Sequence, residues 1–147
     1  MEMPDFNEKY LEIGEEVQFL IINMTDGSRE TVETASAFIA EQGYSFPVFY
    51  DTDQDAAATY GVYSLPTTYF IDEEGNAIAQ ATGAIDEETL QQGIDMIISD
   101  RWWSAYYIEV KCKKVATVSH SKTEWTVARS LPSALFFWQA PSILNVN

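Results

Sequence analysis

Residues Val62 to Asp72 restrict this chain more than any other stretch. Val62-Tyr63-Ser64-Leu65-Pro66 reads as a tight proline turn that runs directly into Thr67-Thr68-Tyr69-Phe70-Ile71. Those five residues are all β-branched or aromatic, the types that fit a pleated, packed surface. Asp72-Glu73-Glu74-Gly75-Asn76 then supplies a turn, and Ala77-Ile78-Ala79-Gln80-Ala81 a second short strand, so the segment predicts a β-hairpin. Pro66 has no N–H to give a ladder and belongs at the first position of its strand. An X-Pro bond adopts the cis form at a cost of only ~0.5–1 kcal/mol.

The rest of the first hundred residues alternates between helix and strand patterns. Pro4 suits the first turn of a helix in which Phe6, Tyr10, Leu11 and Ile13 recur at helical spacing and Gly14 is the stop. Val17 to Met24 is nearly continuous in apolar residues, as in a strand covered on both faces. A helix is expected from about Arg29 to Gln42, with Val32, Ala35, Phe38 and Ile39 inward and Gly43 as its end. Phe46 to Tyr50 reads as a short strand, placed at an edge by Pro47. Gln54 to Tyr60 is a short Ala-rich helix ended by Gly61. After the hairpin, Asp86 caps a helix whose buried stripe is Leu90, Ile94, Ile97 and Ile98, with Ile85 and Leu90 set for a hydrophobic staple. The order is α-β-α-β-α-β-β-α, an α/β class.

Phe46-Pro47-Val48-Phe49-Tyr50-Asp51-Thr52-Asp53, Ala58-Thr59-Tyr60-Gly61-Val62, and Leu65-Pro66-Thr67-Thr68-Tyr69-Phe70-Ile71-Asp72 with Gly75 form an ordered set. Together they resemble the C-terminal half of a thioredoxin-fold protein, and most closely the TlpA/ResA-like thiol–disulfide oxidoreductases. The resemblance covers about residues 2–99. It implies a thioredoxin-like mixed sheet flanked by helices, truncated at the N-terminus. The family's central strand and the Cys-X-X-Cys after it would lie ahead of residue 1, where Glu2-Met3-Pro4 matches the triplet that follows the second cysteine. It also implies that Pro66 is cis and that Leu65, Pro66 and Thr67 line the groove that holds a partner chain. Ser64 stands where relatives often carry Gly. Asp26 follows the buried strand at a place where some relatives carry an acid that tunes the thiols; the other reading is a loop Asp that starts a turn before Gly27.

Charge divides the chain near residue 100. The net charge is −15, and 21 of the 23 acidic residues lie in 1–100 beside only Lys9 and Arg29. Residues 101–147 hold Glu109 and Glu124 against Arg101, Lys111, Lys113, Lys114, Lys122 and Arg129, together with all four Trp, Cys112 and His120. The expected organisation is a truncated thioredoxin-like domain over 1–100 and an atypical tail over 101–147. An acidic body argues against nucleic acid as a partner, since phosphate binding needs clustered Lys and Arg. No basic region followed by an apolar stretch opens the chain, so no signal peptide is expected, although relatives usually work outside the cytoplasm.

The tail does not resemble the family. Tyr106 to Val110 and Val115 to Val118 read as strands. Ser130 to Leu144 is apolar, too short to cross a bilayer and too broken by proline for one helix. Two readings stay open: sequence that is not an evolved domain, such as read-through or a shifted frame, or a strand that fills the gap left by the missing central one. Such a gap would leave buried ladder groups unpaired at roughly 1–3 kcal/mol each.

Family chemistry needs a thiolate at a helix N-terminus and a resolving thiol three residues on. One cysteine forbids an intrachain disulfide. Cys112, between Lys111 and Lys113, reads as incidental, and His120 as a surface residue. Asp51 to Asp55 resembles the start of a calcium loop, but Ala56 and Val62 stand where Gly and Glu are required, so no metal site is expected. No cofactor is implied. The resemblance makes protein thiols or disulfides the partners, with this chain inactive in exchange because the Cys-X-X-Cys is absent. The alternatives are a non-enzymatic binding module and a fragment without independent function. A peroxiredoxin assignment meets the same objection, since its peroxidatic cysteine would also lie upstream.

Overall fold

The computed structural model describes residues 2–98 and 132–140. In chain order the elements are α1 (Met3–Ile13), β1 (Gln18–Asn23), α2 (Val32–Gln42), β2 (Val48–Tyr50), α3 (Asp55–Tyr60), β3 (Thr67–Ile71), β4 (Ala77–Thr82), α4 (Glu87–Ile98) and β5 (Ser133–Trp138). The expected strands over Tyr106–Val110 and Val115–Val118, Cys112 and His120 lie outside the described residues.

The five strands form one mixed sheet in the order β2-β1-β5-β3-β4. β5, the last in the chain, is the central strand. It runs parallel to β1 from Gln18↔Ser133 to Asn23↔Trp138, and antiparallel to β3 from Thr67↔Phe137 to Ile71↔Ser133. All six of its residues are buried. The position that the sequence resemblance leaves empty is therefore filled by residues 133–138. β2 is an edge strand as Pro47 implies, and β3 and β4 form the expected hairpin.

One sheet face carries Phe19, Ile21, Phe70, Ala134, Phe136 and Trp138 beneath α1, α2 and α4. Phe6 of α1 stacks on Phe136 with ring centroids 4.4 Å apart, and Phe38 of α2 meets Trp138 at 5.6 Å. The other face joins Ile22, Tyr69, Ile71, Leu135 and Phe137 to Ala56 of α3. Burying one such large apolar side chain contributes about 1.5–3 kcal/mol, so β5 supplies a large part of both cores.

Helix ends follow the local chemistry. Thr31 caps α2 by accepting from the Thr34 N–H at 3.2 Å, and Asp86 caps α4 through Thr89 N–H at 2.9 Å. Asp51 is buried, and its carboxylate receives Ala56 N–H at 3.2 Å and Ala57 N–H at 2.9 Å, which closes the start of α3. Three expected core positions lie outward instead. Leu11 is 66% exposed, because it sits off the face shared by Phe6, Tyr10 and Ile13. Val32 and Ile98 are exposed because they are terminal residues of α2 and α4. Gly93 joins the α4 stripe with Leu90, Ile94 and Ile97.

Candidate functional site

β1 and β5 end, and β3 begins, at the same end of the sheet. The turn before β3 presents Tyr63 and Ser64 to solvent and leaves Leu65 and Pro66 half-buried. The Leu65–Pro66 peptide bond is cis. Two bonds hold the turn: Thr67 Oγ1 donates to the Ser64 carbonyl at 2.7 Å, and the Pro66 carbonyl accepts from Gly83 N–H at 2.9 Å. Leu65 packs against the core that contains Phe137 and Tyr69. Thr67 is buried, so its hydroxyl serves the turn, and of the three expected groove residues only Leu65 and Pro66 reach the surface.

Tyr63 is 98% exposed, which the strand pattern beside it does not announce. An open groove of about 520 Å³ lies between Tyr63, Met24 at the end of β1, and Gln54, Asp55 and Ala58 of the α3 start. Gln54, one of its lining residues, adopts a left-handed conformation, φ 58°, as the residue ahead of α3.

Glu2 reaches the same end from α1. Its Oε2 accepts from Ile85 N–H at 2.6 Å, so the segment Gly83–Ile85 touches both Pro66 and Glu2. Glu2 is only 5% exposed and its Oε1 has no partner. Burial pushes its carboxyl above the usual range, the Ile85 N–H pulls the other way, and Asp5 adds like-charge repulsion. Thr68 Oγ1 and Trp138 Nε1 are also buried without partners, on the same sheet face as Phe70 and Phe136. The Glu2-Met3-Pro4 triplet was visible in the sequence; the burial of its first residue was not.

Asp26 spends its carboxylate on its own loop. Oδ1 accepts from the N–H groups of Ser28 (2.8 Å), Arg29 (2.7 Å) and Glu30 (3.0 Å), and these hold its carboxyl far below the usual range. The loop leads to Glu30, a buried carboxylate that accepts from Asn23 Nδ2 at 2.6 Å and from Ala140 N–H at 2.8 Å. Gln139 Nε2 donates to the Met24 carbonyl at 3.1 Å. The exit of β5 is thus tied to the loop that Asp26 shapes. Among the described residues, no group of three or more His, Cys, Asp or Glu converges to hold a metal ion.

The AhpC/TSA family model matches residues 1–80. The chain belongs to the AhpC/TSA family. Within it, the expected likeness to TlpA/ResA-like proteins is borne out. Thiol-disulfide oxidoreductase ResA of Bacillus anthracis is 37% identical over 93 residues, which cover 61% of this chain and 50% of that protein. ResA of Halalkalibacterium halodurans is 30% identical over 97 residues, 65% of this chain and 53% of that one. The chain spans about half the length of the curated relatives it matches. Its fold is similar to the crystal structure of StoA from Bacillus subtilis, with a TM-score of 0.57 and 21% identity, covering 63% of this chain and 69% of that chain. The thioredoxin-like fold expected from the sequence is the one observed.

Proposed function

We propose that this AhpC/TSA-family chain retains the partner-binding half of a thiol–disulfide oxidoreductase and does not itself carry out dithiol exchange. The carrying observation is the open groove at the sheet end, lined by Gly61, Val62 and fully exposed Tyr63, the residues that lead into the Leu65-Pro66 turn, while Leu65, Pro66 and Thr67 themselves lie outside its lining. A rigid two-bond turn beside an exposed aromatic offers a partner's extended segment a surface with little conformational entropy left to lose. Asp53 and Asp55 border the groove and favour a partner that is neutral or basic there. Exchange needs one thiolate to attack and a second thiol to resolve the mixed disulfide, whereas these 147 residues include only Cys112.

The test has two arms. Insulin reduction by the purified chain, with dithiothreitol as electron donor, is expected to match that of Cys112→Ala; a clear Cys112-dependent rate defeats the inactivity. Binding of the oxidised insulin B chain, followed by amide shifts, is expected to weaken about tenfold in Tyr63→Ala. An unchanged affinity removes the groove from the proposal.

A further inference from the structure

We propose that the place between β1 and β3 is a strand-exchange site, able to take Ser133–Trp138 from a second copy of this chain as well as from its own. The occupant follows from the sheet itself. β5 contacts the body of the protein through a complete ladder on each side, in register over six residues with β1 and five with β3. Its exit is held by Glu30 on Ala140 N–H and by Gln139 on the Met24 carbonyl. Each of these bonds joins residues 133–140 to residues 18–71. A strand arriving from another copy makes the same bonds in the same register.

The connection allows this. Residues 99–131 lie between α4 and the start of the segment that carries β5. Fully extended, a segment of that length reaches roughly 100 Å, well beyond the width of one domain. From Leu131 to Leu144 the chain has no charged residue. Strands that avoid pairing with other chains use Lys, Glu or Pro for the purpose, and here prolines stand only outside the paired residues, at 132 and 141. Filling the site from within or from a partner therefore differs mainly through the tether. Tethers confer effective concentrations on the order of 1 mM or less. Exchanged dimers should gain on monomers as the concentration during refolding approaches that value.

Two full-length variants, each with Cys112→Ala, test this. One carries Gln18→Cys and the other Ser133→Cys, register partners on β1 and β5. After the two are refolded together and mildly oxidised, a disulfide-linked heterodimer requires β5 of one copy to lie against β1 of the other. The expected result is a heterodimer band above the homodimer background of either variant alone, rising steeply between ~10 µM and ~1 mM refolding concentration. A single chain carrying both cysteines is expected to close an internal disulfide when refolded dilute. An internal disulfide with no heterodimer above background overturns the exchange. Absence of both overturns it too, because β5 then does not lie against β1.

Discussion

Glu2 brings a carboxyl into the protein with one oxygen bonded to Ile85 N–H and the other bonded to nothing. Because burial is the largest cause of its raised pKa, the folded state holds its proton more tightly than the unfolded chain does. The contribution to stability is therefore full below the unfolded value of 4.5 and is lost as pH rises through the folded value. Glu2→Gln keeps an acceptor for Ile85 N–H and removes this dependence. Thermal melts at pH 4 and pH 7 should show the variant's melting temperature improving relative to the parent at the higher pH; an equal offset at both would contradict the burial. The sequence exposed the identity of this residue through its triplet, yet no local pattern reports that a carboxylate beside Pro4 is out of water. Asp26 is the opposite case. Its position before Gly27 and Ser28 already spelled a turn, and its bonds are local ones.

At the scale of elements, α4 and β3 are matched through a missing side chain. Gly93 faces the Phe70 ring, and a Cβ built on it would overlap that ring. Helix propensity favours Gly93→Ala by ~1 kcal/mol, but Phe70 is 2% exposed and has nowhere to move. Overpacking should win, and urea unfolding should show Gly93→Ala less stable by about 1–3 kcal/mol. A stabilised variant would mean that α4 lies farther from the sheet. Periodicity alone found Leu90, Ile94 and Ile97 and added Ile98, since hydrophobicity scores a glycine as neutral. Which residue completes a helix stripe is decided by the shape of the opposing surface. Glu30 makes the same point for loops: its carboxylate is buried because Asn23 and Ala140, far apart in the chain, both donate to it.

At the scale of the molecule, the sheet depends on its last strand. Removing β5 would strip ladder partners from β1 and β3 and uncover Phe6, Phe19, Phe70 and Tyr69. Each buried backbone group left unpaired costs roughly 1–3 kcal/mol, against total stabilities of about 5–15 kcal/mol. Residues 1–100 alone should therefore lack a cooperative transition in a urea melt followed by circular dichroism, while the full chain shows one; equal cooperativity would mean that β5 is dispensable. By itself the sequence determined the eight elements of its first hundred residues, the Asp86 cap and the hairpin, because those rest on contacts a few residues apart; the Thr31 cap of α2 and the Asp51 carboxylate at the start of α3 came from the structure. It also determined the family likeness, through the ordered motifs around Pro66. Only the tertiary structure decided that Ser133–Trp138 is the centre of the sheet. A strand draws its stability from partners across the ladder, here 115 residues away for β1, and nothing within Ser133–Trp138 itself says which partners those are.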